Sequence, residues 1–321
     1  SQLIQIINES YKEDINSYNE LHQWSVENVS EFWEEVWKYS KIIHSKAFLK
    51  VVGDVSKMPG TKWFSGAKLN FAENLLRFRD NRPAIHFKGE GKAVITYSFK
   101  DLYDEVEKVT HALRTLGVVK GDRVAGFIPN IPESVIAMLA TASIGAIWSS
   151  SSPDFGTKAV LDRFAQIEPK VIFAADGYFY NGKGYSSIKK LKEISKNIPA
   201  LQKVIIVEYL NEEPELLDEV SSIRYKDFIN CSPEPLYFEQ LPFDHPLYIM
   251  YSSGTTGLPK SIVHSAGGTL IQHLKELYFH CDLVREDCIF YFTTCGWMMW
   301  NWLVSSLAIG STIVQFDGSP F

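Results

Sequence analysis

The apolar positions change period along the chain. Between Ile15 and Lys50 the residues Trp24, Val26, Phe32, Trp33, Val36, Trp37 and Tyr39 recur near a 3.6-residue spacing. That spacing predicts helix with an aromatic face, and Ser30 and Glu34 stand where a helix start is expected. The tryptophans are expected to pack this preface against the main body of the chain. From Met58-Pro59-Gly60 the chain turns irregular and then helical again towards Leu76, as a joint onto a main domain would. The expected division is a helical preface over residues 1–75 and one large domain over 76–321.

Beyond Pro83, short β-rich runs alternate with helical ones. Ala84–Phe87 and Val94–Tyr97 flank the Lys88–Lys92 turn and predict a hairpin. Ser98, with Asp101 three residues on, predicts a capped helix to Leu116, ended by Gly117. Strands are expected at Arg123–Ile128, Ala146–Ser149, Lys170–Ala174, Val204–Val207 and Leu247–Tyr251, helices at Glu133–Ile144 and Lys158–Ile167, and a surface loop at Asn211–Asp218. This alternation implies βαβ crossovers. The fold class is therefore α/β, with layered, mainly parallel sheets and flanking helices.

Composition narrows the function classes. A net charge of -6, with no basic stripe, gives no footprint for nucleic acid. The longest apolar stretch, Val135–Trp148, is too short to span a bilayer, and the N-terminal segment lacks the features of a secretory leader, so cytoplasm is the expected compartment. Four cysteines without CxxC spacing, Cys231, Cys281, Cys288 and Cys295, predict no zinc site and buried structural thiols.

Chemistry concentrates where the strand ending at Tyr251 runs into Ser252-Ser253-Gly254-Thr255-Thr256-Gly257-Leu258-Pro259-Lys260. Glycines let backbone N–H groups turn towards an anion, hydroxyls add donors, and Lys260 adds positive charge. The composition fits a polyphosphate. It is not a Walker A loop, which needs Gly-Lys-Ser/Thr, whereas Pro259 precedes Lys260 here. A dinucleotide-binding Gly-x-Gly-x-x-Gly after a strand is also missing.

The run Tyr251–Lys260 followed by Ser261-Ile262-Val263-His264-Ser265 resembles the signature loop of the AMP-binding, adenylate-forming superfamily. Gly121-Asp122-Arg123-Val124, Pro132-Glu133 and Gly145–Gly156 are similar to its acetyl-CoA synthetase group, and Trp63–Asn74 with Ile147–Gly156 to the acetoacetate-activating branch of that group. The resemblance implies an AMP-forming acid:CoA ligase that joins acetoacetate to CoA through an acyl-adenylate, using ATP, CoA and Mg2+. It implies that Ser252, Ser253, Gly254, Thr255, Thr256, Gly257 and Lys260 line the triphosphate, with Thr256 at the α-phosphate. Trp297, Met298 and Met299, in the block Thr293–Trp300, would border the acyl group, Met299 standing where the acetate pattern has threonine. In the segment Asp176–Lys183 arginines of the pattern fall at Tyr180 and Lys183, so Lys183 is implied at CoA, and Arg163, on the helix after Asp154-Phe155-Gly156, is a second candidate there.

The same resemblance implies that the adenine-binding segment, the Mg2+-binding glutamate and a catalytic lysine belong to sequence beyond this chain. No metal ligand and no catalytic residue are therefore assigned here, and the chain is expected to be the front part of an enzyme and inactive by itself. Two other readings stay open at this point: a short- or branched-chain acyl-CoA synthetase, and a non-catalytic nucleotide- or acyl-binding module. Small molecules are the expected partners in each. His264 is expected to be a satisfied core histidine.

Overall fold

The computed structural model describes residues 2–218, 220–252 and 257–321. Its centre is a seven-stranded sheet in the order 222–224, 203–207, 171–175, 123–127, 147–151, 246–252 and 260–265. Every neighbouring pair is parallel except the last, where Pro246–Ser252 and Lys260–Ser265 run antiparallel. Strands covered on both faces read as continuous apolar runs, with alternate residues feeding two cores. Val171, Phe173, Ile205 and Val207 enter the larger core, whereas Ile172, Ala174, Val204 and Ile206 enter a smaller one with Val160 and Phe164 of the Thr157–Ile167 helix.

A four-stranded sheet lies alongside, in the order 288–290, 312–317, 83–89 and 94–98. The hairpin Pro83–Gly89/Val94–Ser98 forms as its spacing predicts, and the capping box of Ser98 and Asp101 starts Phe99–Thr115. Thr312–Asp317 joins parallel to Pro83–Gly89. The Pro132–Ile144 helix is buried on nearly every face, so it shows no apolar stripe; Gly145, at φ 78°, closes it in the left-handed region.

The preface departs from its pattern. It forms three helices, Gln2–Tyr11, Tyr18–Glu27 and Val29–Tyr39; one starts beside Ser30 as expected, and another starts earlier, on a capping box of Ser17 and Glu20. Within Val29–Tyr39, Glu34 pairs with Lys38 at 2.9 Å. Beyond Tyr39 the chain leaves the helix, and Lys50–Val52 pairs with Trp63–Ser65 as strands. A single spacing hid this break because its two halves serve different cores: Trp24 packs with Leu3 and Ile7, whereas Trp37 stacks on Phe64 at 4.8 Å. The thiols depart too. Cys295 is buried, but Cys231 is half-buried and Cys281 and Cys288 are exposed; all four are free.

Candidate functional site

The parallel strands end at one edge of the large sheet, the position where open α/β sheets receive ligands. Three segments meet there. Pro246–Ser252 and Lys260–Ser265 form a hairpin whose last ladder pair is Ser252 opposite Lys260, so the Ser/Thr/Gly loop is its connection. Ser252 is half-buried; Gly257 and Lys260 are exposed. Gly257 has φ 94° with open space around it, so backbone conformation rather than crowding asks for glycine. Ser253, Gly254, Thr255 and Thr256 lie outside the described residues.

The Thr157–Ile167 helix holds both arms of this hairpin. The Tyr251 hydroxyl donates to the Arg163 carbonyl at 3.0 Å. Burial, opposed by Ser149 and Arg163, pushes the Tyr251 pKa up to about 12, so the phenol keeps the proton that this bond needs. On the other arm Gln166 donates to the Pro259 carbonyl at 3.0 Å and accepts from Ser261 Oγ at 3.1 Å. The Arg163 guanidinium donates to the Ala159 carbonyl and lies over the Phe155 and Tyr251 rings, 5.1 and 5.7 Å from their centres.

Lys183 sits elsewhere. It is exposed on a small hairpin, Gly177–Tyr180/Lys183–Ser186, directly opposite Tyr180. That hairpin docks on the four-stranded sheet through the Phe179 N–H to Asp317 Oδ2, 3.2 Å, and the Gly182 N–H to Glu90. Lys183 and Arg163 thus share no contact. Lys190 connects the two neighbourhoods: its ammonium donates to the carbonyls of Pro153 and Phe155 and lies 5.9 Å from the Tyr178 ring.

The third segment runs from Thr293 into the Met298–Ser305 helix. Trp297 is 62% exposed, Met298 is exposed and Met299 half-buried, so the three named side chains open to the surface while the next residue, Trp300, is the one fully in the core. Buried polar groups hold the segment. Asn130, 4% exposed, accepts from Trp300 Nε1 at 3.0 Å and Gln315 Nε2 at 2.8 Å, and donates to the Thr293 carbonyl at 3.4 Å. Ser150 Oγ donates to the Cys295 carbonyl at 2.6 Å, and Asn301 Nδ2 reaches Met250 Sδ at 3.7 Å, tying this segment to the hairpin strand.

Sequence reasoning missed Asn130, Gln315, Ser150, Gln166 and Lys190, because each acts on backbone or side chains far away in the chain. His264 lies within the edge strand, half-buried, its ring 5.1 Å from that of Tyr248 and without a hydrogen-bond partner among the described residues. The satisfied core histidine is His273, bonded to Ser305 Oγ at 2.8 Å. Among the described residues no three His, Cys, Asp or Glu side chains cluster as metal ligands, and no helix is long and apolar enough to cross a membrane.

The family model for "AMP-binding enzyme" matches residues 71–321. The chain belongs to the AMP-binding enzyme family. A second model, "Acetyl-coenzyme A synthetase N-terminus", matches residues 18–75. Among members of the AMP-binding family, the acetoacetyl-CoA synthetase of Macaca fascicularis is 50% identical over 316 residues, covering 95% of this chain and 47% of that protein. A malonamoyl-CoA synthetase of Penicillium aethiopicum is 40% identical, covering 99% of this chain and 46% of that one. The solved acetoacetyl-CoA synthetase of Streptomyces lividans superposes with a TM-score of 0.94 at 43% identity, over 99% of this chain and 49% of that structure. The chain thus spans about half the length of the AMP-binding relatives it matches.

Proposed function

We propose that this chain belongs to an AMP-forming acid:CoA ligase acting on acetoacetate, with ATP and CoA as the other substrates and magnesium entering with the nucleotide. In the first half-reaction an acid carboxylate oxygen bonds the α-phosphorus and the bond to the β-phosphate bridge breaks, releasing pyrophosphate. In the second, the CoA sulfur bonds the acyl carbon, the acyl-oxygen bond breaks, AMP leaves and the thiol proton passes to solvent. Both steps crowd negative charge, which fixed N–H and hydroxyl donors with one lysine oppose. Ser252, Ser253, Gly254, Thr255, Thr256, Gly257 and Lys260 are assigned to the triphosphate, Trp297, Met298 and Met299 to the acyl end, and Lys183 to CoA. Arg163 is assigned there as well, its guanidinium lying over the Phe155 and Tyr251 rings.

The observation that carries this reading is that the Thr293–Ser305 segment, which follows a strand of the four-stranded sheet, packs on the large sheet beside the hairpin, through Asn301 to Met250 and Ser150 to the Cys295 carbonyl. The relatives support this acid. Acetoacetate and malonamate both carry a second carbonyl β to the carboxylate, so a β-carbonyl acid is the common denominator, and Met299 removes the threonine of the acetate pattern. Four free thiols fit a reducing cytoplasm. Because the chain spans less than half of the curated relatives, we expect its 321 residues alone not to complete adenylate formation.

Acid-dependent ATP–pyrophosphate exchange by the protein at its natural full length tests the reading. Acetoacetate should give a higher kcat/KM than acetate, butyrate or isobutyrate; preference for butyrate or isobutyrate overturns it in favour of a short- or branched-chain ligase.

A further inference from the structure

We propose that Gln166 is a positioning residue for Lys260, an inference that rests on the reading of Lys260 as a triphosphate contact. Gln166 stands in the last turn of Thr157–Ile167, and its amide bonds the residue on each side of Lys260: Nε2 to the Pro259 carbonyl at 3.0 Å, Oε1 to Ser261 Oγ at 3.1 Å. Pro259 has no N–H and Lys260 opens the strand, so the chain direction on either side of the lysine depends on few bonds. A glutamine suits the task because one neutral amide donates and accepts at once.

The electrostatics agree. A carboxylate in place of Gln166 would repel the Pro259 carbonyl and compete with phosphate for the ammonium. The acid one turn earlier, Asp162, is already paired with Lys158 at 2.7 Å, and Lys260 has no ion pair among the described residues. Arg163, on the same face of the helix, receives the Tyr251 hydroxyl from the other arm, so one helix face grips both arms. The residues flanking Lys260 are thereby tied to the helix, while its exposed ammonium has no ion pair among the described residues.

Titration of the chain with tripolyphosphate and with MgATP, followed by calorimetry, tests this. Lys260→Ala should weaken binding about tenfold, the effect of losing a charged hydrogen bond. Gln166→Met should weaken it about three- to tenfold, as two exposed neutral bonds allow, and Ser261→Ala by about twofold. The deciding readout is the cycle: Lys260→Ala should cost a factor about threefold smaller in the Gln166→Met background than in the unmodified chain. A merely structural glutamine would lower the thermal midpoint without changing the worth of Lys260. Equal Lys260→Ala effects in both backgrounds overturn the proposal. Absent tripolyphosphate binding, or binding indifferent to Lys260→Ala, overturns the triphosphate reading itself and this inference with it.

Discussion

Two segments border the candidate site, one following a strand of the four-stranded sheet and one ending a hairpin of the large sheet, and they are secured in opposite ways. The Thr293–Ser305 segment is anchored from inside: Asn130, Trp300 and Gln315 are all buried, and Trp300 Nε1 and Gln315 Nε2 both donate to Asn130 Oδ1. The Ser252–Lys260 hairpin end is anchored from outside, by the exposed amide of Gln166, and its second strand is a sheet edge with Ile262 and Val263 exposed. Buried polar bonds are costly to break because the orphaned partner stays dry, whereas an exposed bond is replaced by water. One border of the candidate site is therefore stiff and the other is open to adjustment.

The sharpest way to break this contrast is Asn130→Leu. It leaves Trp300 Nε1 without its acceptor and costs Gln315 Nε2 one of two, the Ile131 carbonyl being the other, so a loss of about 2–5 kcal/mol in urea unfolding is expected. A loss under about 1 kcal/mol would mean that the inner anchorage is not one network.

Next in size is a pH effect at His273. Burial, with a smaller contribution from His264, pushes its pKa down to about 4, and because Ser305 Oγ already donates to the Asn301 carbonyl, His273 Nδ1 must carry the proton of their shared bond. The unfolded imidazole takes up a proton below about pH 6.5, whereas the folded one waits until about pH 4. Over that interval the unfolded state binds more protons, so the contribution is complete above about pH 6.5 and disappears as pH falls to about 4, a span of about 3 kcal/mol. Urea midpoints at pH 7 and 4.5 should differ less in His273→Gln than in the unmodified chain.

Tyr251→Phe removes one part-buried bond to the Arg163 carbonyl and should cost about 1 kcal/mol of stability, measured the same way. Smallest is Lys62→Ala. The Lys62–Asp244 pair at 2.6 Å is exposed on both sides, and its removal should leave the thermal midpoint unchanged at 0.15 M salt.

The same contrast explains which parts are legible in the sequence. The hairpin loop carries its candidate residues consecutively, and the strands at 123–127, 171–175 and 203–207 declare themselves by largely apolar runs. Asn130 is silent because its partners at 293, 300 and 315 come together only through the fold. Gln166 looks like an ordinary polar helix residue until Pro259 and Ser261 are placed beside it. In the preface, helical spacing persists across Asn28 while the core being served changes from Leu3 and Ile7 to Phe64, so the pattern overextends a single helix. Periodicity reports that a residue is buried, not what it is buried against.

The parallel pairing of Thr312–Asp317 with Pro83–Gly89 has a consequence for how the chain is made. Thr312 Oγ1 donates to the Pro83 carbonyl across 229 positions of sequence. On a ribosome the 83–98 hairpin emerges early and presents an unfilled edge until almost the whole described chain has emerged. Closing such long loops is slow, and unpaired strand edges invite wrong partners. Synthesis speed and temperature should therefore govern the soluble yield of this chain more strongly than surface substitutions do.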